Sequence, residues 1–108
     1  MNKHALIVGV TGITGSNLAE NLLAEDGWTV SGLSRSRSPI AGVKTLSCDL
    51  VDANSVRTAL TEARPSHVFI TAWSRQETET KNCEVNGAIV RNVLVALQGR
   101  GVEHVALT

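Results

Sequence analysis

The sequence is poor in the residues that mark several common classes of protein. Its 108 residues include no tyrosine, one phenylalanine, two prolines and two cysteines, and ten acidic and ten basic residues give a formal net charge of zero. A neutral chain lacks the basic surface by which proteins bind nucleic acids or anionic membranes through bulk charge. No apolar run approaches the roughly 18 residues that span a bilayer. The composition therefore predicts no nucleic-acid partner and no membrane partner.

The cysteines and the amino terminus bear on the cellular compartment. Cys48 and Cys83 form no metal-binding or redox motif, and we expect both to be small buried residues. Residues 1–4 lead directly into an apolar run, without the charged region, long apolar core and cleavage site of a signal peptide. No linker or repeat marks a second domain. These features predict a cytoplasmic protein with one domain over residues 1–108 and no substrate domain.

Five short apolar segments alternate with segments that have helical periodicity. The segments predict strands over 4–9, 28–33, 43–48, 67–72 and 102–107, and helices over 12–25, 53–63 and about 77–98. Asp52 is a suitable N-cap for the second helix, Pro65 prevents its continuation, and Gly27 suits the C′ position of the first. Strands that alternate with helices form right-handed βαβ units. We therefore expect an α/β fold of the Rossmann type, with a parallel sheet in the strand order 3-2-1-4-5 and helices on both faces.

One connection departs from this pattern. The segment between the second and third strands is only about ten residues long and lacks helical periodicity, which is tight for a parallel crossover. Pro39 and Gly42 favour a turn there, and we expect the loop over 34–42 to make the crossover without a helix.

A glycine-rich turn follows the first strand. Gly9, Gly12 and Gly15 form a G-x-x-G-x-x-G pattern between an apolar strand and a helix, which is the context of a dinucleotide-binding turn. Glycines let the backbone approach a pyrophosphate closely, and the helix directs free N–H groups at the anion. Thr11, Ile13 and Thr14 would line the turn. The alternative is a purely structural connection from strand to helix.

The residues after the second strand discriminate between the two nicotinamide dinucleotides. An NAD site usually has a carboxylate about twenty residues past the glycines, which binds the ribose 2′-hydroxyl. This chain has Ser34, Arg35, Ser36 and Arg37 instead, and no acidic residue between Gly27 and Asp49. A guanidinium pairs with a 2′-phosphate, and the sequence therefore predicts NADP(H) with Arg35 as the first candidate. The alternative is a solvated basic loop.

Two further strand ends contribute candidates. Asp49 and Leu50 follow the third strand, where the carboxylate would accept from the adenine amino group and the leucine would pack on the ring; Asp49 is equally suited to be a turn residue. Thr71, Ala72 and Trp73 follow the fourth strand, on the edge where open α/β sheets bind ligands. Trp73 is either a pocket wall or a cap on the sheet. His67 and His104 enter strands at the opposite edge and are expected to be structural or surface residues.

These motifs resemble a known family. The glycine pattern, Asp49-Leu50 and Val85-Asn86-Gly87 resemble the extended and atypical short-chain dehydrogenases/reductases. The stretch from 71 to 94 narrows the resemblance to the progesterone 5β-reductase/iridoid synthase-like (PRISE) enone reductases, and it carries Thr71-Ala72-Trp73-Ser74-Arg75, Glu79, Asn82, Glu84-Val85-Asn86-Gly87 and Arg91-Asn92-Val93-Leu94.

The resemblance implies an activity and a set of cofactor contacts. In this family NADPH delivers hydride to the β-carbon of an activated enone, and a tyrosine and a lysine stabilise the enolate oxygen. The matching cofactor positions are Gly9, Thr11, Gly12, Ile13, Ser34, Arg35, Asp49, Leu50, Thr71, Ala72 and Trp73. The chain has no tyrosine, and its lysines at positions 3, 44 and 81 precede the region where the family's catalytic pair is found. We therefore expect no catalytic residue here, and no activity from this chain alone.

Three functions follow from these observations. The first is the NADP(H)-binding amino-terminal part of a reductase that reduces an activated C=C bond. The second is a non-catalytic NADP(H)-binding redox sensor or regulator, and the third is an interaction module that no longer binds nucleotide. An exposed fifth strand would leave backbone groups unpaired at a sheet edge, and such edges pair with other chains. We therefore expect a homo-oligomer formed through that edge.

Overall fold

The computed structural model describes residues 3–36, 38, 40–61, 63–72, 77–99 and 101–107. Within these residues five strands form one parallel sheet in the order β3-β2-β1-β4-β5. The strands are β1 (Lys3–Val8), β2 (Trp28–Ser34), β3 (Val43–Ser47), β4 (His67–Ile70) and β5 (His104–Leu107). The helices are α1 (Ile13–Leu23), α2 (Ala53–Ala59) and α3 (Glu79–Ala96). The predicted fold class and strand order are confirmed.

The central strand β1 has a buried side chain at each of its last four positions, because the sheet is covered on both faces. On one face Ile7 and Val30 pack with Ala19 of α1. On the other face Leu6 packs in a larger cluster with Val56 of α2. That cluster also contains Ile89, Val93 and Leu97, from α3 and its C-cap. Alternate side chains of β1 thus pack on opposite faces of the sheet. The carboxyl end of the strand is therefore held between helices on both faces.

The short connection from β2 to β3 makes a parallel crossover, and its described residues, 35, 36, 38 and 40–42, form no helix, as predicted. Val30 pairs with Val43 and Ser34 with Ser47 in parallel register. The backbone N–H of Ser38 donates to Oγ1 of Thr45 at 3.0 Å, which ties the loop to the strand that it precedes. Gly42 has φ of +93°, a conformation that L side chains rarely adopt.

Several predicted boundaries differ from the structure. Helix α2 ends at Ala59 rather than at residue 63, since Leu60 leaves the helical conformation and is fully buried. Strand β4 ends at Ile70 rather than at 72, and α3 begins at Glu79 after an N-cap at Thr78. The Thr78 side chain accepts a hydrogen bond from the backbone N–H of Lys81 at 3.2 Å, a cap that the sequence-based prediction missed.

Two individual predictions are wrong. Gly27 is not the C′ residue of α1, because the helix is capped at Ala24 and Gly27 lies in the turn that enters β2 with φ of +88°. Cys83 is exposed on α3, whereas Cys48 is buried as expected. Across the described residues, no helix has both the length and the apolar character required to cross a membrane.

Candidate dinucleotide-binding site

A cleft of about 500 Å³ opens at the carboxyl edge of the sheet. The ends of β1, β2, β3 and β4 meet there, with the amino terminus of α1 on one side and α3 on the other. The cleft is lined by Gly9, Thr11, Gly12, Ile13, Thr14, Ser34, Arg35, Asp49, Leu50, Val51, Thr71, Ala72 and Ile89. This edge is where open α/β sheets bind ligands, because loops diverge there between neighbouring strands.

The first glycine of the turn is required by both its conformation and its neighbours. Gly9 has φ of +88°, and a Cβ atom at this position would lie 2.8 Å from the backbone N and Cα of Ala72. Its N–H donates to the carbonyl of Leu33 at 2.8 Å. The turn therefore packs closely against the ends of β2 and β4. A side chain at residue 9 would push the turn away from these strand ends.

The other two glycines have different roles. A Cβ atom on Gly15 would collide with the carbonyl oxygen of Gly9, so this glycine lets α1 pack closely on the turn. Gly12 is the N-cap of α1 with an extended backbone at φ of −76°, and of the described atoms beyond its chain neighbours a Cβ atom there would meet only the Gly9 oxygen, at 3.4 Å. Among the described residues no side chain caps this end of the helix, and Ile13 is 86% exposed. The first helical N–H groups have no partner within their own helix, and in this turn they face an open cleft.

One ion pair spans the cleft near the end of β2. Nη2 of Arg35 lies 3.7 Å from Oδ1 of Asp49, with the two side chains 77% and 47% exposed. An ion pair this exposed stabilises a fold by at most about 1 kcal/mol. The guanidinium of Arg35 is therefore held loosely and is available to an anionic ligand.

Asp49 also organises the loop after β3. Its Oδ1 accepts the backbone N–H of Val51 at 3.2 Å, and its own N–H donates to Oγ of Ser55 at 3.0 Å. The carbonyl of Leu50 accepts the side-chain amide of Asn92, from α3, at 3.0 Å. The role of Asp49 as a turn residue, which the sequence left open, is thus present in the structure, and it places Leu50 at the cleft wall.

Thr71 joins the end of β4 to the glycine turn. Its backbone N–H and its Oγ1 both donate to the carbonyl of Val8, at 2.9 Å and 2.8 Å. Oγ1 also lies 3.4 Å from the carbonyl oxygen of Gly9. The hydroxyl therefore fixes the start of the turn rather than facing the cleft as a free donor.

Cys48 lies next to Asp49 but is unsuited to nucleophilic chemistry. Burial, with a smaller contribution from the neighbouring Asp49 charge, raises the pKa of its thiol to about 11. The thiolate is the nucleophilic form, so this cysteine is inert near neutral pH.

Most of the predicted site residues come together in the structure. Eleven of them line the cleft, namely Gly9, Thr11, Gly12, Ile13, Thr14, Ser34, Arg35, Asp49, Leu50, Thr71 and Ala72. Gly15 lies beneath the turn, and Arg37 and Trp73 lie outside the described residues. The sequence-based set missed Val51 and Ile89. The only sequence clue for Val51 is its adjacency to Asp49-Leu50, and that for Ile89 is an apolar position in a predicted helix. Neither clue indicates a cleft.

Comparison with known proteins agrees with this geometry. The sequence model of the NAD dependent epimerase/dehydratase family matches residues 5–108. A 3-oxo-Delta(4,5)-steroid 5-beta-reductase of Arabidopsis thaliana is 39% identical over 114 aligned residues, which cover 95% of this chain and 29% of that protein. The (S)-8-oxocitronellyl enol synthase CYC2 of Camptotheca acuminata is 38% identical with the same coverage. The chain thus spans about 29% of the length of these curated relatives.

A solved structure shows the same fold with a dinucleotide. The UDP-glucose 4-epimerase of Thermus thermophilus, in complex with NAD, superposes with a TM-score of 0.80 at 31% identity, over 94% of this chain and 36% of that chain. The resemblance to short-chain dehydrogenases/reductases, with enone reductases among the relatives, is confirmed. The chain belongs to the NAD-dependent epimerase/dehydratase family and forms its nucleotide-binding Rossmann portion.

Proposed function

We propose that this chain binds NADP(H) in the cleft at the carboxyl edge of the sheet. The observation that carries the proposal is the combination of an uncapped α1 amino terminus, a glycine turn that admits no side chain at residue 9, and Arg35 at the end of β2. The neighbour with NAD supports a dinucleotide. The preference for the phosphorylated form rests on the residues of this chain.

The turn fits a pyrophosphate. The N–H groups at the start of α1 would donate to its oxygens, since they lack intrahelical partners and the helix dipole favours an anion there. Gly12 presents only a hydrogen atom to the cleft, which lets the phosphate approach the backbone. Gly15 acts indirectly by seating α1 against the turn.

Arg35 provides the preference for a 2′-phosphate. Its guanidinium is 77% exposed and is restrained by a weak ion pair with Asp49. A phosphate carries more charge than a carboxylate and accepts two parallel N–H bonds, so it would compete well for the guanidinium. We propose Ser34 and Arg37 as further contacts of this phosphate.

The remaining candidates would hold the two ends of the cofactor. We propose that Asp49 and Leu50 bind the adenine, with Asn92 keeping their loop in place. The ribose nearer the nicotinamide would be bordered by Thr71, Ala72 and Trp73. The nicotinamide supplies the hydride when NADPH is bound. Thr11 and Ile13 complete the wall of the turn.

The experiment is a calorimetric titration of the chain with NADPH and with NADH. We expect NADPH to bind more tightly. Arg35→Ala should weaken NADPH binding by about tenfold to a hundredfold, the value of a lost charge-assisted hydrogen bond, and should change NADH binding little. Arg91→Ala removes an exposed arginine from α3 and serves as the control.

Gly12→Ala tests the turn separately. The added Cβ would lie 3.4 Å from the Gly9 oxygen, at a φ that alanine adopts freely. We expect the unfolding midpoint to be retained and the affinity for both cofactors to fall. Equal or tighter binding of NADH by the unchanged chain would contradict the NADP preference. No binding of either cofactor at millimolar concentration would contradict the whole proposal.

We propose further that the parent activity is NADPH-dependent reduction of an activated C=C bond. The names of two relatives support this activity. A 3-oxo-Delta(4,5)-steroid is a conjugated enone, and an enol synthase forms an enol, which is the tautomer of a carbonyl compound. The chain has no tyrosine, so it has no phenol to donate to an enolate oxygen. We therefore expect cofactor binding without turnover by this chain alone.

A binding-only role of this chain, as a redox sensor, is the second candidate. Incubation of the chain with NADPH and a 3-oxo-Delta(4,5)-steroid, followed through the absorbance of the reduced nicotinamide, tests both ideas. Steady oxidation of NADPH would contradict the expectation of an inactive chain.

A cytoplasmic location and a single domain over 1–108 stay predictions.

We also propose a homodimer through β5. All four residues of this strand are exposed, and β5 pairs with β4 at the edge of the sheet. Val105 and Leu107 are 49% and 65% exposed. A second copy paired along this edge would satisfy its backbone groups and cover these side chains.

A further inference from the structure

Three side chains with metal-binding atoms meet at the amino edge of the sheet, opposite the cleft. They are His67 at the start of β4, Glu103, and His104 at the start of β5. One ligand atom from each lies within 4.8 Å of the other two. His67 is half-buried, and the other two residues are exposed. The proposed dinucleotide site uses none of these groups.

The backbone fixes the spacing of the three residues. The N–H groups of Glu103 and His104 both donate to the carbonyl of Ser66, at 2.8 Å and 3.2 Å. His67 and His104 are paired in the parallel register of β4 and β5. Their ring centroids are 4.9 Å apart, with planes inclined by 31°. The parallel register of the sheet therefore places the two histidines side by side, with their rings in contact.

The ring of His67 is oriented by two further contacts. Its Nδ1 lies 2.9 Å from Oγ of Ser66, and Trp28 packs against it edge to face, with centroids 5.1 Å apart. The Ser66 contact leaves Nε2 as the nitrogen for a ligand. Histidines that bind metals commonly have the second ring nitrogen hydrogen-bonded in this way, because the bond fixes the tautomer and the ring orientation.

We propose that His67, Glu103 and His104 bind a zinc ion at this edge. Two imidazoles and one carboxylate are a known set of protein ligands for Zn²⁺, with water in the fourth position. Zn–N bonds of about 2.0–2.1 Å place tetrahedral donors about 3.3 Å apart. The exposed Glu103 and His104 side chains reach that spacing by small rotations. The ion would join β5 to β4 at the amino edge.

The alternative is a stacked histidine pair beside a solvated glutamate, without any ion. The third histidine of the chain does not belong to the cluster, because Nε2 of His4 lies 2.7 Å from Oγ of Ser31. A test must also exclude zinc bound by the exposed thiol of Cys83. All proteins compared should therefore carry Cys83→Ser and no affinity tag.

The first experiment titrates zinc chloride into the chain by calorimetry in a buffer without chelators. We expect one ion per chain. His104→Gln should weaken binding by about tenfold or more, because a ligand is lost, and Glu103→Gln should weaken it as well. Glu25→Gln, an exposed substitution after α1, is the matched control and should leave the affinity unchanged.

The second measurement uses Trp28 as a reporter, with copper(II) as the probe. The chain has two tryptophans, and Trp73→Phe leaves only Trp28. Copper bound at His67 should quench its fluorescence, and His104→Gln should shift the quenching to about tenfold higher copper concentration. Circular dichroism confirms that each variant is folded. Zinc and copper binding unchanged in a folded His104→Gln protein, or no zinc binding below millimolar concentration, would overturn the proposal.

Discussion

At the scale of single residues, the glycine turn depends on conformation as much as on space. Gly9 combines φ of +88° with a Cβ position only 2.8 Å from the backbone of Ala72. Gly87, in the middle of α3, has no heavy atom of the described residues within 4 Å of the corresponding position, apart from the backbone of its own helix. The two glycines therefore differ in what a methyl group would do, although both look alike in the sequence.

We expect Gly9→Ala to destabilise the fold by about 2 kcal/mol or more, since left-handed backbone costs alanine about 1–2 kcal/mol and the clash adds to it. Gly87→Ala should instead stabilise the fold by up to about 1 kcal/mol, the helix propensity that glycine lacks. Urea unfolding of both variants measures the difference. A Gly9→Ala protein as stable as the unchanged chain would show that the turn does not require its glycine.

The half-buried His4 makes stability depend on pH. Desolvation by burial lowers the pKa of His4 from its ordinary value of 6.5, and the nearby charge of Lys44 acts in the same direction. The unfolded chain then binds a proton more readily than the folded one. Stability contributed by the neutral imidazole is therefore complete above pH 6.5 and is lost as pH falls through the folded pKa.

We expect the free energy of unfolding to decrease between about pH 7.5 and about pH 5.5, one unit either side of the ordinary histidine pKa. His4→Gln should reduce this decrease, because the amide keeps a polar atom near Ser31 but does not titrate. Urea unfolding at both pH values measures the slopes. Identical slopes for the two proteins would show that His4 does not contribute.

At the scale of elements, α2 is positioned by its cap. Oδ1 of Asp52 accepts the backbone N–H groups of Asn54 and Ser55, at 3.0 Å and 3.3 Å. The helix has seven residues and contributes the fully buried Val56 to the core. A helix this short has little stability of its own, so its cap matters more than it would in a long helix.

We expect Asp52→Ala to destabilise the chain by about 1 kcal/mol, within the range for loss of an N-cap. Asp52→Asn keeps the accepting oxygen and should retain most of the stability. Thermal unfolding of the two variants separates the hydrogen bonds from the negative charge. If both variants lose the same stability, the charge rather than the cap hydrogen bonds holds the helix terminus.

At the scale of the whole molecule, the two edges of the sheet differ in exposure. The outer strand β3 is partly covered, whereas every residue of β5 is exposed. The proposed homodimer follows from this difference, because an exposed edge strand offers unpaired N–H and C=O groups. Its test is a measurement of mass in solution.

We expect light scattering at micromolar concentration to give the mass of a dimer. Val105→Lys should convert the dimer to a monomer, because a charged side chain on an edge strand opposes pairing with a second copy. Val95→Lys places the same charge on an exposed position of α3 and should leave the dimer intact. A monomer formed by the unchanged chain would contradict the proposal.

The sequence alone determined the fold class, the strand order and most of the cleft. Hydrophobic periodicity and the glycine spacing are local properties, and parallel βαβ units bring the ends of successive strands to one edge. The sequence could therefore group Gly12, Arg35 and Asp49 without any coordinates. The N-cap at Asp52 was predictable for the same reason, since capping involves only neighbouring residues.

The tertiary structure decided what depends on contacts between distant segments. Ile89 of α3 lines the cleft and packs in the same core cluster as Ile70 of β4, and α2 stops at Ala59 because Leu60 turns into the core. The ion pair of Arg35 with Asp49 and the cluster of His67 with His104 also join separate strands. Such proximities are set by strand register and packing, which periodicity along one segment does not encode.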